Sequence, residues 1–330
     1  MMKLCFIGCG AHPVSVYSGA LARVKKETPG LELCACCDLD GEKAESFRRM
    51  LGFGAAYADY RKMLAEIEPD AAIIATPYTV TADIAVYVLM HGAAAMIEKP
   101  PAITLAECMK IVEASRASGS PTQVAFNRRY MPLVRALAED IAVSGTVLQN
   151  IDFGMYRYNR SEPFFHVTAI HGIDTVSFIA GSPYKRIAFS YQDESAFGVN
   201  AANIFMQCEL VSGVHAQLSF CPVAGMTFER MTIAADNIAY ELRLPVWDCS
   251  DAPGLLVKFQ CDKMLWTKSG KTVSDGQRMF ETNGFYREVK SFVDDILAGK
   301  RPESDITTAL QAVDIADHIR LRKKEYHLDI

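Results

Sequence analysis

Over the first 125 residues, short apolar runs alternate with stretches whose apolar positions recur every three or four residues. The runs fall at 3–7, 31–37, 71–76, 93–97 and 123–126. Between the third and fourth, Val80, Ile84, Val88 and Leu89 share one helix face, closed by Gly92. After the fourth, Leu105, Cys108, Val112 and Ser115 share another. Thr104 with Glu107 gives that helix a capping-box start, and Gly119 gives it an end. Apolar strands alternating with amphipathic helices predict a parallel sheet covered by helices on both faces.

Beyond about residue 145 the texture changes. Six segments, from "VLQNIDFGMYRY" to "IAYELRL", read as strands at short spacing, which fits an antiparallel or mixed sheet. A helix over 168–180 interrupts them. Two helices close the chain, one with a stripe of Phe285, Val289, Phe292 and Ile296, the other with Ile306, Leu310, Val313 and Ala316. The predicted fold class is an α/β domain with a parallel sheet, then an α+β domain with a large, mostly antiparallel sheet. The expected domains are 1–125 and 126–330, the second texture becoming plain around residues 144–146. The final helices are expected to pack back on the first domain.

Length and charge narrow the function. The 330 residues are 50% hydrophobic, enough for two cores. Net charge is −5 with no long basic run, which argues against nucleic acid and anionic membrane as partners. The opening "MMKLCFIGCG" turns to glycine too soon for a signal peptide, and no apolar run reaches the roughly 18 residues of a membrane span. Ten cysteines show no paired C-x-x-C, and "CACC" lies inside an apolar run, so they read as small hydrophobes of a reducing compartment, the cytoplasm. No metal site is expected.

The first strand runs into Gly8-Cys9-Gly10, followed by His12 and Pro13. In a dinucleotide-binding turn the first glycine allows the tight bend and the second lets the backbone approach a pyrophosphate at the helix N-terminus. Pro13 stands where a small residue is usual, and a first helical turn tolerates it. His12 and Ser15 are candidates to reach the phosphates. Asp38, ending the second strand, is placed to accept hydrogen bonds from ribose hydroxyls and to repel a 2′-phosphate, which favours NAD over NADP. Thr76-Pro77-Tyr78 ends the third predicted strand, where ligands bind in such sheets. The fourth ends in Glu98-Lys99-Pro100-Pro101, a polar pair at the mouth of a buried strand.

With Gly8-x-Gly10, Asp38, Thr76-Pro77 and Glu98-Lys99-Pro100 in this order, the chain resembles the Gfo/Idh/MocA family of oxidoreductases. "FNRRYMP" (126–132), "HGIDTVSFIAG" (171–181) and "GFYREVKSFVDDILAGKRP" resemble further family segments, so the similarity covers nearly the whole length. The resemblance implies an NAD-binding Rossmann domain and a second domain with an open sheet, one face for substrate and the other often for a second subunit. A homodimer or homotetramer through that sheet is implied, as is a sugar, cyclitol or related polyol oxidised at a secondary alcohol.

Lys99 then takes or relays the hydroxyl proton as hydride leaves, since desolvation lets a lysine release its proton near neutral pH. His171 matches the family histidine that works with this lysine, and Asp174, three residues on, shares its helix face. Many members carry an aspartate four residues before that histidine; here Val167 stands there, with His166 beside it. His166, Asp174, Asn127, Tyr156 and Arg157 are the candidate substrate-binding residues, Arg157 suiting a carboxylate. Two other readings use the same fold: a redox-neutral glycosidase or lyase that retains its NAD, and a non-catalytic NAD-sensing regulator. Retention of both Lys99 and His171 argues against the regulator.

Overall fold

The computed structural model describes residues 1–160 and 162–328. The chain forms two compact units, Met1–Phe126 with Phe285–Val313, and Asn127–Gly284 with Asp314–Ile330.

The first unit contains six parallel strands: β1 (Met2–Ile7), β2 (Leu31–Cys37), β3 (Ala55–Tyr57), β4 (Ala71–Ile74), β5 (Ala94–Glu98) and β6 (Thr122–Ala125). Their order is β3-β2-β1-β4-β5-β6. Strand order reverses between β1 and β4, which opens a crevice at their carboxyl ends. The central strands are buried throughout, as expected of strands covered on both faces. The short β3 has no apolar run, and the hydrophobic pattern does not reveal it.

Helices α1 (Ala11–Glu27), α2 (Gly41–Leu51), α3 (Tyr60–Ile67), α4 (Tyr78–Met90) and α5 (Leu105–Ser118) connect these strands. The capping box at α5 is complete. The Glu107 N–H donates to Thr104 Oγ1 at 3.2 Å, and the Thr104 N–H donates to Glu107 Oε2 at 3.1 Å. A later helix, Phe285–Leu297, lies along α1, with the Phe285 ring 6.0 Å from Tyr17 and the Arg23 guanidinium 4.0 Å over the Tyr286 ring.

Among the described residues, the second unit is built on nine strands: β7 (Leu148–Tyr156), β8 (Tyr184–Asp193), β9 (Ala202–Leu210), β10 (His215–Cys221), β11 (Phe228–Ala235), β12 (Ile238–Arg243), β13 (Leu255–Gln260), β14 (Lys263–Ser269) and β15 (Glu325–His327). Their order is β14-β13-β12-β11-β7-β10-β9-β8-β15, antiparallel except for the β7–β10 pair. The last three strands escape the sequence reading. Lys258 breaks the apolar run of β13 and is buried by an ion pair to Asp140 at 2.7 Å, while β14 is largely exposed.

Helix α6 (Pro132–Ser144) precedes the sheet, and α7 (His166–Ala180) packs on β7 and β10. Gly172 makes that packing close, because a Cβ there would lie 2.4 Å from the Phe153 ring and 2.7 Å from the Phe220 ring. Along β7, Ile151, Phe153 and Met155 are buried, whereas Gln149 and Asp152 are exposed. The mostly antiparallel sheet expected after residue 145 is thus present.

Candidate functional site

The first unit holds a groove of about 630 Å³ at the crevice of its sheet. Gly8, Gly10, Asp38, Thr76 and Pro77 line it, as the sequence proposes. Gly8 is required there. Its φ is +97°, and a Cβ would sit 2.4 Å from the Ala75 carbonyl oxygen. Gly10 is the N-cap of α1 and supplies no side chain to the helix end, so space beside it is open. Pro13 is the third helical residue, within the first turn, whose N–H groups have no intrahelical acceptor. Helix α1 accordingly runs unbroken through it.

Asp38 is fixed by the loop it faces. One carboxylate oxygen accepts from the Cys9 N–H at 2.7 Å and the other from the Asp40 N–H at 2.9 Å. The turn and the Asp38 carboxylate are therefore one unit. The groove also takes Leu39, Lys43, Tyr60 and Arg61, which the sequence reading passed over because their apolar or charged identity carries no motif. The Arg61 guanidinium lies 4.7 Å over Tyr60 and 5.1 Å over Tyr87. Cys9, His12, Pro13, Tyr78, Glu98 and Lys99 do not belong to the groove wall. Ser15 donates to the His12 carbonyl at 2.9 Å, so its hydroxyl is engaged locally rather than on a phosphate.

A second cluster surrounds Glu98, the last residue of β5. Tyr17, buried in α1, donates to Glu98 Oε2 at 2.5 Å, and His12 Nε2 lies 3.7 Å from the same oxygen. The Lys99 N–H donates to Glu98 Oε1 at 3.1 Å. Burial raises the Glu98 carboxyl, but His12, the Lys99 charge and the Tyr17 hydroxyl outweigh it and hold it below the usual range. Burial, then the Glu98 charge, pushes the Tyr17 hydroxyl well up. Glu98 is thus an ionised, half-buried anchor for the backbone that carries Lys99. The Lys99–Pro100 bond is cis. Tyr17 was absent from the sequence reading, since its partner lies 81 residues away.

In the second unit, the predicted substrate-binding residues are differently engaged. Both Asp174 oxygens accept from Arg129 Nε at 3.0–3.2 Å, and one also accepts from Nη2 at 2.5 Å. Burial raises the Asp174 carboxyl in spite of that charge. Asp174 therefore pairs with Arg129 rather than orienting His171. Asn127, 3% exposed, donates to the Asn283 carbonyl and accepts from Arg128, both at 2.9 Å, so it serves the interior. Tyr156 alternates with the buried β7 residues and stacks on Phe228 at 4.4 Å, on the face opposite α7. Arg157 is 1% exposed and donates to Glu229 and to the Tyr156 and Phe228 carbonyls, so it is not free for a substrate carboxylate.

Glu229 is the centre of this network. Arg128 reaches its two oxygens at 2.6 and 3.1 Å, and Arg157 joins one of them. Burial works against the Glu229 charge, yet the two guanidinium groups hold its carboxyl at about 2. Burial lowers Arg157 in turn, since one carboxylate serves two cations. Arg128 Nη1 also lies 3.2 Å from His171 Nε2. A guanidinium can only donate, so Nε2 accepts and the ring proton is on Nδ1. In this arrangement the lone pair of His171 Nε2 is engaged by Arg128.

His166 is 6% exposed, beside Phe164 and the charges of Asp317 and Arg320. Burial, then Arg320, lowers its pKa below the ordinary value. The unfolded chain therefore binds the proton first. Folding stability should be fully present above about pH 6.5 and be lost progressively as pH falls toward the folded pKa. His166→Phe should flatten that loss. Urea midpoints at pH 7.5 and 5.5 check this, and an equal acid loss in both proteins would assign the dependence elsewhere.

All ten cysteines are free, and eight are buried. Burial pushes the thiols of Cys5, Cys37 and Cys108 up to about 12, which suits packing rather than reactivity. Among the described residues no helix is long and apolar enough to cross a membrane.

Comparison with known proteins agrees with this geometry. Residues 2–126 match the model of the Gfo/Idh/MocA oxidoreductase family, NAD-binding Rossmann fold. Inositol 2-dehydrogenase of Salmonella paratyphi B is 24% identical over 244 residues, covering 66% of this chain and 71% of that protein. A Gfo/Idh/MocA family oxidoreductase from Vibrio cholerae superimposes with a TM-score of 0.80 at 22% identity, covering 98% of each chain. Levoglucosan dehydrogenase in complex with NADH gives 0.83 at 17% identity, covering 99% of each chain. The fold is thus shared over the whole length with these proteins, and residues 2–126 are similar to the NAD-binding Rossmann fold of the Gfo/Idh/MocA oxidoreductases.

Proposed function

We propose that the protein is an NAD-dependent dehydrogenase acting on a secondary alcohol of a sugar, cyclitol or related polyol. The observation that carries this reading is the crevice of the first unit, where Gly8, Asp38 and the open end of α1 share one groove. That donor and acceptor set fits a dinucleotide: backbone N–H groups for the pyrophosphate and a carboxylate for the ribose. Bound there, NAD supplies the hydride acceptor. Relatives and structural neighbours named as inositol and levoglucosan dehydrogenases support the polyol class.

Residues 1–125 are the proposed cofactor domain and 126–330 the proposed substrate and oligomerisation domain, of which Phe285–Val313 packs with the first. Lys99 takes the hydroxyl proton as the carbonyl forms, its backbone held by the Glu98 carboxylate. His171 shares the handling of that proton. Asn150, Asp152 and Gln217 lie on the open face of the nine-stranded sheet, which supports a homodimer or homotetramer through that face. The ten free thiols fit a cytoplasmic setting.

Asp38 should make NADH bind more tightly than NADPH by roughly 1–3 kcal/mol, the cost of a 2′-phosphate beside a fixed carboxylate. Fluorescence titration of both nucleotides checks this, and equal affinity or tighter NADPH would remove Asp38 from the ribose role. The function itself is tested by mass spectrometry of the nucleotide that copurifies, with NADH formation measured on free polyols and on glycosides. Net NADH with a polyol is expected. Glycoside cleavage without net NADH would favour the redox-neutral reading.

A further inference from the structure

The second unit contains a cavity of about 710 Å³ that no step above uses. Three segments wall it: the residues after β7, those before β11 and those after β12. Two exposed aromatic side chains, Tyr158 at 64% and Trp247 at 42%, belong to the wall, with Arg157, Arg160, Asp248 and Ser250.

Trp247 is held there against backbone preference. Its φ is +49°, a left-handed conformation that bulky side chains rarely adopt. Such outliers persist only where the surroundings over-determine them, and they cluster at functional sites. The surroundings are on hand. The Trp247 N–H donates to Asn283 Oδ1 at 2.7 Å, and buried Asn283 accepts in turn from Asn127 at 2.9 Å. The Arg157 guanidinium lies 5.7 Å from the indole, itself fixed by Glu229. An indole so supported is a rigid, partly exposed platform.

The cavity's charge points to a neutral ligand. Arg157 is engaged by Glu229, and Arg160 donates to both Glu162 oxygens at 2.7 and 2.9 Å. Neither cation is poised for a phosphate or carboxylate. An aromatic face with polar groups around it instead fits a sugar ring, whose C–H face stacks while its hydroxyls take the rim. His171 is not part of this wall; it is joined to it through Arg128, Glu229 and Arg157. The volume lies in the range that holds a drug-sized ligand.

We infer that this cavity is a subsite for a second sugar ring, so that a glycoside or disaccharide binds more tightly than a free monocyclic polyol. The inference deepens the dehydrogenase reading and rests on it for the meaning of the reacting ring. Its test is a binding measurement. The chain has two tryptophans, so a Trp266→Phe protein reports on Trp247 alone. Titration with maltose and lactose should change its fluorescence saturably, and glucose and myo-inositol should do so about tenfold more weakly, as loss of one stacked contact gives.

In protein that retains Trp266, Trp247→Ala should weaken disaccharide binding by about tenfold in calorimetry, and Trp247→Phe should restore most of it. Unchanged NADH affinity of these variants shows that they remain folded. Equal responses to one-ring and two-ring sugars, or none to either, would overturn the subsite. Disaccharide binding without NADH formation from any sugar would retain the subsite and sink the dehydrogenase reading; turnover of free polyols without disaccharide binding would do the reverse.

Discussion

Lys99→Met is expected to lower turnover by roughly 10²–10⁴, the range for a positioned acid–base group, while NAD affinity changes little. Methionine keeps much of the lysine's bulk and removes the ammonium. The backbone at this point does not depend on the side chain: the Lys99 N–H donates to Glu98 Oε1, and Glu98 is in turn held by Tyr17. Lys99 is outside the wall of the dinucleotide groove, so removing its charge should spare cofactor binding. Steady-state kinetics with NADH titration separate the two effects. Turnover within a few-fold of the parent would make Lys99 a residue of strand-end architecture only.

Glu229→Gln is expected to destabilise the protein by about 3–5 kcal/mol, the usual result of breaking a buried ion pair by removing one partner. Glu229 is fully buried, and two guanidinium groups converge on it. Glutamine has the same shape but no charge, which leaves Arg128 and Arg157 buried with a neutral acceptor between them. A second consequence follows for His171, because Arg128 Nη1 meets its Nε2. Without the carboxylate, Arg128 loses its fixed position and the imidazole loses the donor that sets its tautomer. Urea denaturation should show a lower midpoint at an unchanged slope. A loss below about 1 kcal/mol would mean that the site is wet or relaxes.

The first sheet was legible because its signals are local. Buried parallel strands read as unbroken apolar runs, and the partners of the Thr104–Glu107 capping box stand three positions apart in sequence. The glycine turn and Asp38 were legible for the same reason: each sits at the end of its own strand, and topology alone brings them to one groove. The Glu229 network was not legible, since Arg128 and Glu229 stand 101 residues apart and nothing near either predicts the other. The pairing of Asp174 with Arg129 was not legible for a related reason. Helical spacing puts Asp174 on the His171 face, but it cannot say which cation arrives from another segment. Tyr156 and Arg157 show the limit for strands. Alternation sends neighbours to opposite faces, and sequence does not say which face is covered.

The most direct measurement is hydride transfer itself. Protein supplied with NAD and a panel of polyols and glycosides, deuterated at their secondary carbinol positions, is followed by mass spectrometry of the nicotinamide nucleotide. The expected result is deuterium on the reduced nucleotide with at least one substrate, lost in Lys99→Met protein that still binds NADH. Absence of label from every substrate, or equal label in Lys99→Met, would contradict dehydrogenation through Lys99.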